Sequence, residues 1–296
     1  MDTRYTITIN NFNYGRFLVE AMDSAAAQSI ANRLLVIDDG SVDNSAEILR
    51  AYDGHPDFQY HCFPNEGQLA CFLRAIRACR TEYLCFLDAD DTFAPNHLEV
   101  LDRYFCSDPE LNMAWTQHRN TDGSEATLCG LPNGIIGSSA MLSSLTHHKP
   151  VVITSTIAIR VEDFKFLLEL PSSFFQDWKI RADDCLLIAG TYLGKTRANC
   201  PEVTVLRRIH GANLYFQNEA AHSASGQNGY DLAKKTFAQW CAQALELRAP
   251  SRELLREEYA CWPSKNRKLN RLYRKASRRL SPFNLFAWVS DCLLFR

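Results

Sequence analysis

With 296 residues, 46% of them hydrophobic and 22% charged, the chain has an ordinary globular composition and suits one large α/β domain with an appendage. Its eleven cysteines are scattered and form no C-x-x-C pair, which argues against a disulfide framework or a zinc site and for reduced core thiols in a cytosolic protein. The net charge of −2 is unevenly spread: residues 265–279 carry eight Lys or Arg and no acid, so residues 1–264 stand at −10.

The first element is a strand, Tyr5 to Ile9, followed by Phe17, Leu18, Ala21, Met22 and Ala25 at helical spacing. A second strand, Leu34 to Ile37, runs into Asp38-Asp39-Gly40-Ser41. Ala46, Leu49 and Tyr52 form the next helical stripe, Phe58 to Cys62 the third strand, and Leu69, Phe72, Leu73 and Ile76 the third stripe. The fourth strand, Tyr83 to Leu87, ends in Asp88-Ala89-Asp90-Asp91. Met113 to Thr116 and Val151 to Ile159 complete the strand candidates, and no leader pattern precedes Arg4. The βαβαβ order predicts a doubly wound, mostly parallel sheet with right-handed crossovers, whose ligands bind beyond the carboxyl ends of the strands.

Acids stand at two such ends. A turn with a helix N-cap accounts for Asp38-Asp39-Gly40-Ser41 taken alone, since Ser41, Asp43 and Ser45 suit that purpose. Three carboxylates within four residues after Leu87 have no such explanation, because their repulsion and desolvation call for a cation. Hard cations, Mg²⁺ or Mn²⁺, take oxygen ligands, and Mg²⁺ is usually held by one or two carboxylates plus substrate phosphates. Asp39 is free for other work, accepting hydrogen bonds from a base or a ribose. The crevice reads as a nucleotide-diphosphate site.

The blocks "ITINNFNYGRFLVEAMDSAAAQS", "LLVIDDGSVDNSAEIL", "NEGQLACFLRAIRACRTEYLCFLDADD" and "RRIHGAN" together resemble glycosyltransferase family 2, over about residues 4–216. That resemblance implies a GT-A fold and an inverting transfer of a sugar from a nucleoside diphosphate, a UDP-sugar by family habit, to a hydroxyl acceptor. It places Asn10, Phe12 and Asp39 around the base and Asn65 and Gly67 along the nucleotide pocket. Asp88 then lies near ribose and metal and Asp90 is the principal metal ligand, while Asp91 assists or caps the following turn. Leu73 and Ala75 depart from the Asn and Gly that family members often carry there. By the same resemblance, Asp183-Asp184 with Leu187 matches the family's Glu-Asp pair, so Asp184 is expected as the base, with Asp183 orienting it or contacting the acceptor. Acids in a first helical turn, favoured by its dipole, are the plainer reading. His210 is expected on the metal, and Arg208 against the charge of the leaving group.

Other patterns carry less. His147-His148 lies in a Gly/Ser-rich stretch, Asp122 to Pro150, expected to be an exposed loop and to include an acceptor-covering lid. "AGTYLGKT" is not a P-loop, since its first Gly is one position late and no strand precedes it, and no G-x-G-x-x-G follows the first strand.

Lys265 to Arg279 is basic on nearly every helical face. Phe283, Leu285, Phe286, Trp288, Val289, Leu293, Leu294 and Phe295 follow Ser281-Pro282, in a segment too short to span a bilayer. Basic helix and apolar helix suit an anionic cytoplasmic leaflet, in preference to docking on protein or binding RNA. The expected organisation is a GT-A catalytic domain at 1–216, a helical extension at 217–262 and a basic amphipathic tail at 263–296. The expected protein is cytoplasmic, peripheral at the inner face of the membrane and metal-dependent. Its work is surface-polysaccharide or lipid-linked glycan synthesis, with no nucleic-acid partner. The alternatives are a nucleotidyltransferase of related fold, for which "NNFNYGRF" is a poor phosphate loop, and a non-catalytic nucleotide-sugar-binding membrane adaptor.

Overall fold

The structure, a computed structural model, describes residues 3–124, 126, 129–211, 213 and 224–280. Four parallel strands carry its first half: β1 (Tyr5–Asn11), β2 (Asn32–Asp38), β3 (Phe58–Cys62) and β4 (Tyr83–Asp88). Helices α1 (Gly15–Ala26), α2 (Ser45–Arg50) and α3 (Gln68–Ala78) connect them; α3 buries its whole predicted stripe and α1 all of its own but the half-buried Phe17, whereas α2 buries only Leu49 of its three and ends before Tyr52. β1 lies between β2 and β4 in parallel register, so that Asn10 sits beside Ile37 on one side and Asp88 on the other. The carboxyl ends of all three strands therefore open on one edge.

Beyond β4 follow β5 (Thr92–Phe93), α4 (His97–Ser107), β6 (Leu111–Asn120), β7 (Gly134–Ile136), α5 (Ala140–Thr146), β8 (Ile157–Arg160), α6 (Val161–Phe164), α7 (Asp183–Tyr192) and β9 (Thr196–Arg207). The sheet order is β3-β2-β1-β4-β8-β6-β9-β5, with β7 paired to β9. β8 runs antiparallel to β4 and β6, and β6 parallel to β9. Alternation divides the core by face: Leu35, Ile37, Leu84 and Phe86 pack on one side of the sheet, and Leu34, Val36, Tyr83, Cys85 and Leu87 on the other.

Two expectations are corrected here. Val151 to Ile159 is not one strand, because a 3₁₀ turn at Thr154–Thr156 precedes β8. There the Thr156 hydroxyl donates to Ile153 O, a local bond that competes with a sheet ladder. The stretch from Asp122 to Pro150 contains β7 and α5 in place of a continuous loop. The N-terminus of α5 is completed from far away: the Glu258 carboxylate accepts the N–H groups of Met141 (2.8 Å) and Leu142 (2.9 Å). His147 is exposed, but His148 is half-buried and its carbonyl accepts the Ser143 hydroxyl.

The C-terminal helices α8 (Ala224–Ala244), α9 (Arg252–Ala260) and α10 (Arg267–Leu280) join the same core. Helix α10 is not basic on nearly every face: Leu269, Tyr273, Ala276 and Ser277 are buried. The Tyr273 hydroxyl donates to Glu258 (2.8 Å) and accepts the Trp262 indole N–H (3.1 Å). Arg267, Arg271, Lys275 and Arg278 remain exposed. The apolar segment Phe283 to Phe295 lies outside the described residues, among which no helix is long and apolar enough to cross a membrane.

Candidate active site

A cleft of about 740 Å³ opens at the carboxyl ends of β1, β2 and β4. Asn10 and Phe12 line it from the end of β1. Both polar atoms of the Asn10 amide are buried there with no hydrogen-bond partner, an arrangement that a ligand edge would satisfy.

The two acids after β2 divide their work. Asp38 holds the turn, accepting the Asn11 amide (2.7 Å), the Ser41 hydroxyl (2.6 Å) and the Ser41 N–H (3.0 Å). Asp39 faces the cleft, where its oxygens accept the N–H groups of Glu66 and Gly67, each at 2.9 Å. Burial raises its pKa against the opposing effect of these bonds. The Cys71 thiol also bonds this carboxylate and the Arg74 guanidinium lies 3.9 Å from it, and of about four acceptor positions some capacity is left for a ligand. Gly67 is required by geometry: its φ is +95°, and a Cβ would come within 2.6 Å of Lys179 Cα. The next residue, Gln68, donates its N–H to Lys179 O (2.9 Å), and its side-chain oxygen accepts the Ala182 N–H (2.8 Å). One turn thus fixes both Asp39 and the loop that leads into α7. Asn65 is exposed at the rim of the cleft.

After β4 the three carboxylates are held differently. Asp91 is fixed by the Ser155 hydroxyl (2.6 Å) and the Arg208 N–H (2.9 Å), which anchors the segment following β9 rather than capping a local turn. Asp90 Oδ2 meets His210 Nε2 at 3.1 Å and the Asn213 amide at 3.1 Å. The His210 ring rests on Phe17, with centroids 4.8 Å apart. Burial, then Asp91, Asp90 and Asp183, drive the Asp88 pKa well up. Burial and Asp90 push Asp91 up to about 7. The guanidinium of Arg208 turns away from the cleft, donating to Glu20 (2.6 Å) and to Asp90 O (3.1 Å), whereas Arg207 lines the cleft.

Opposite these acids, Asp183 and Asp184 open α7. Burial and the neighbouring Asp184 push Asp183 up to about 7. The Lys149 ammonium pairs with Oδ1 of Asp184, while Oδ2 lies 3.9 Å from the Arg181 guanidinium and accepts no hydrogen bond.

Among the described residues no group of three His, Cys, Asp or Glu side chains is placed to hold a metal ion by itself. The donor set nevertheless suits a divalent cation. Asp90 and His210 converge, Asp88 and Asp91 crowd beside them with raised pKa values, and substrate phosphates usually supply further ligands. Sequence reading missed Gln68 and Asn213, although both lie inside quoted blocks. It also missed Ser155 and Lys149, which only the folded chain brings to the acids.

A model of glycosyl transferase family 2 matches residues 6–168. An uncharacterised glycosyltransferase of Nostoc sp. is 28% identical over 250 residues, which make up 78% of this chain and 74% of that protein. A chondroitin synthase of Escherichia coli is 31% identical over 147 residues, covering 48% of this chain and 21% of the synthase. Among solved structures, S. aureus TarS 1-349 in complex with UDP-GlcNAc superposes with a TM-score of 0.58 at 12% identity, covering 99% of this chain and 80% of that one. A mannosyltransferase of Pyrobaculum calidifontis in complex with GDP-Man and Mn²⁺ superposes at 0.52 with 14% identity, covering 98% and 87%.

Proposed function

The chain belongs to glycosyl transferase family 2, with a GT-A fold, and we propose that it moves a sugar from a nucleoside diphosphate, a UDP-sugar by preference, to a hydroxyl acceptor with inversion. The observation that carries this reading is one cleft with unpartnered Asn10 and buried Asp39 at one end, the Asp88–Asp91 carboxylates in the middle and the Asp183–Asp184 pair across from them. The TarS and P. calidifontis complexes, with UDP-GlcNAc and GDP-Man, support a nucleotide-sugar donor.

Asn10, Phe12 and Asp39 hold the base and ribose, with Asn65 and Gly67 along the nucleotide. Asp90 and His210, with Asp88 beside them, would hold Mn²⁺ or Mg²⁺, which when bound neutralises charge on the departing diphosphate. Asp91 acts through the fold by fixing the segment that carries His210 and Asn213. Asp184 takes the acceptor proton: Lys149 holds its Oδ1 in place, and Oδ2 accepts no hydrogen bond. Asp183, which feels both Asp184 and Asp88, orients the acceptor between the two carboxylate groups.

The exposed basic row of α10 supports a peripheral position on an anionic membrane surface and a lipid-linked or surface-polysaccharide acceptor. The test is incubation of the full chain with a panel of nucleotide sugars and Mn²⁺, following release of the nucleoside diphosphate. UDP release from at least one UDP-sugar is expected. A panel without turnover, together with no binding of any nucleotide, overturns the reading.

A further inference from the structure

Beside the cleft lies a second cavity of about 190 Å³, and the two have His147, His148, Lys149 and Lys234 as common walls. Basic groups converge on it from three parts of the chain. The segment after α5 contributes Lys149 and α8 contributes Lys234 and Lys235 to its lining, while Arg279 near the end of α10 donates to Leu145 O and lies close enough to His147 to act on its charge.

The charges there are unevenly satisfied. Lys149 pairs with Asp184, and Lys234 pairs with Asp231, the cavity's own acid, at 2.6 Å. That second pair is partly exposed, so a stronger anion can displace it at small cost. Lys235 is exposed and forms no ion pair among the described residues. The two imidazoles add hydrogen-bonding capacity rather than charge. Burial and nearby Lys and Arg groups lower both pKa values, that of His148 to about 4. His148 Nε2 is buried and lacks a hydrogen-bond partner.

We propose that this cavity is an acceptor subsite for an anionic group, of the phosphate class, carried by the molecule whose hydroxyl reaches Asp184. The inference rests on the glycosyltransferase reading and specifies its acceptor. Several ammonium groups converging from different elements suit a multiply charged, compact anion, since lysine acts on phosphate as a point charge. A neutral sugar could hydrogen-bond His148 Nε2 but would bring no counter-charge for Lys235. Because Lys149 and Lys234 border both spaces, an anion seated here holds its adjoining hydroxyl beside the Asp183–Asp184 end of the cleft.

The test is calorimetric titration of the full chain with glycerol 3-phosphate, with UDP and Mn²⁺ held at saturation so that phosphate cannot enter the donor end. Saturable binding is expected. Lys234→Glu with Lys235→Glu should weaken it by about ten-fold or more, and Lys234→Arg with Lys235→Arg should restore it. The arginine pair also controls for folding, which thermal unfolding of all variants monitors. Sedimentation with phosphatidylglycerol vesicles separates the sources. Vesicle binding weakened by the glutamate pair assigns the phosphate to a lipid headgroup; unaltered vesicle behaviour with glycerol 3-phosphate still bound assigns it to a soluble acceptor. No saturable binding by the unaltered protein, or binding indifferent to charge reversal, overturns the proposal. Failure of UDP with Mn²⁺ to bind counts instead against the glycosyltransferase reading, and the lysine variants still report on this cavity.

Discussion

Asp39 and Gly67 are joined by a buried 2.9 Å hydrogen bond from backbone N–H to carboxylate, and the other Asp39 oxygen takes the adjacent Glu66 N–H at the same distance. Asp39→Asn replaces one acceptor by an NH₂ that faces a backbone donor. The expected cost is about 1–3 kcal/mol in urea unfolding, since a buried donor loses its partner. UDP affinity should fall with it. Unchanged stability and affinity would show that the turn does not depend on the carboxylate.

Asp90→Asn should remove Mn²⁺-dependent nucleotide binding while leaving the fold intact. Asp90 is among the charges that raise the pKa values of both Asp88 and Asp91, so neutralising it should raise the unfolding midpoint of the metal-free protein. Nucleotide affinity with Mn²⁺ equal to that of the unaltered protein would refute the assignment.

At the other side of the cleft, Asp184→Asn should keep UDP binding and lose transfer by at least about 10²-fold, the lower end of general-base contributions. Lys149→Met should lower turnover less, because it loosens the orientation of Asp184 without removing the proton acceptor. An inactive Asp183→Asn beside an active Asp184→Asn would reverse the two roles.

Stability should depend on pH through Asp183. Its folded pKa of about 7 lies above the unfolded value of about 3.9, so in that window the native state holds a proton that the unfolded chain releases. The metal-free protein therefore loses stability as pH rises from about 4 to 7, and the loss is complete above that range. Asp183→Asn should stabilise by at least about 1 kcal/mol at pH 8, allowing for solvent screening of a half-buried group, and by almost nothing at pH 4. Urea midpoints of both proteins at the two pH values measure the difference.

Removal of residues from Ser264 onward should not give a folded catalytic body. It strips Leu269 and Tyr273 from the core and leaves Glu258 without the Tyr273 hydroxyl. Each large buried side chain contributes about 1.5–3 kcal/mol, so a loss of several kcal/mol is expected in thermal unfolding. Truncation after Leu280 retains those contacts and should lower the midpoint less.

The parallel half of the sheet was legible because apolar runs of strand length alternate with helical stripes, and the strand ends marked Asp39 and the Asp88–Asp91 acids as neighbours. The other side of the site depends on contacts with no local signal. Lys149 meets Asp184 from 35 residues away, and Ser155 meets Asp91 from 64. Helix α5 was hidden because the group that satisfies its first N–H donors stands on α9. The buried face of α10 was hidden because basic residues surround Leu269 and Tyr273 in sequence, and long cationic side chains can border a docked face while their heads stay in water.

The link between Glu258 and α5 also bears on how the chain is made. Met141 and its partner are 117 residues apart, so at about 5–20 residues per second a ribosome delivers Glu258 roughly 6–23 s after Met141. Throughout that interval α5 has neither its cap nor the Trp262 and Tyr273 surfaces that cover it. The start of α5 is therefore completed only once the C-terminal helices have been made, so closure of this flank is a late step in folding of the chain.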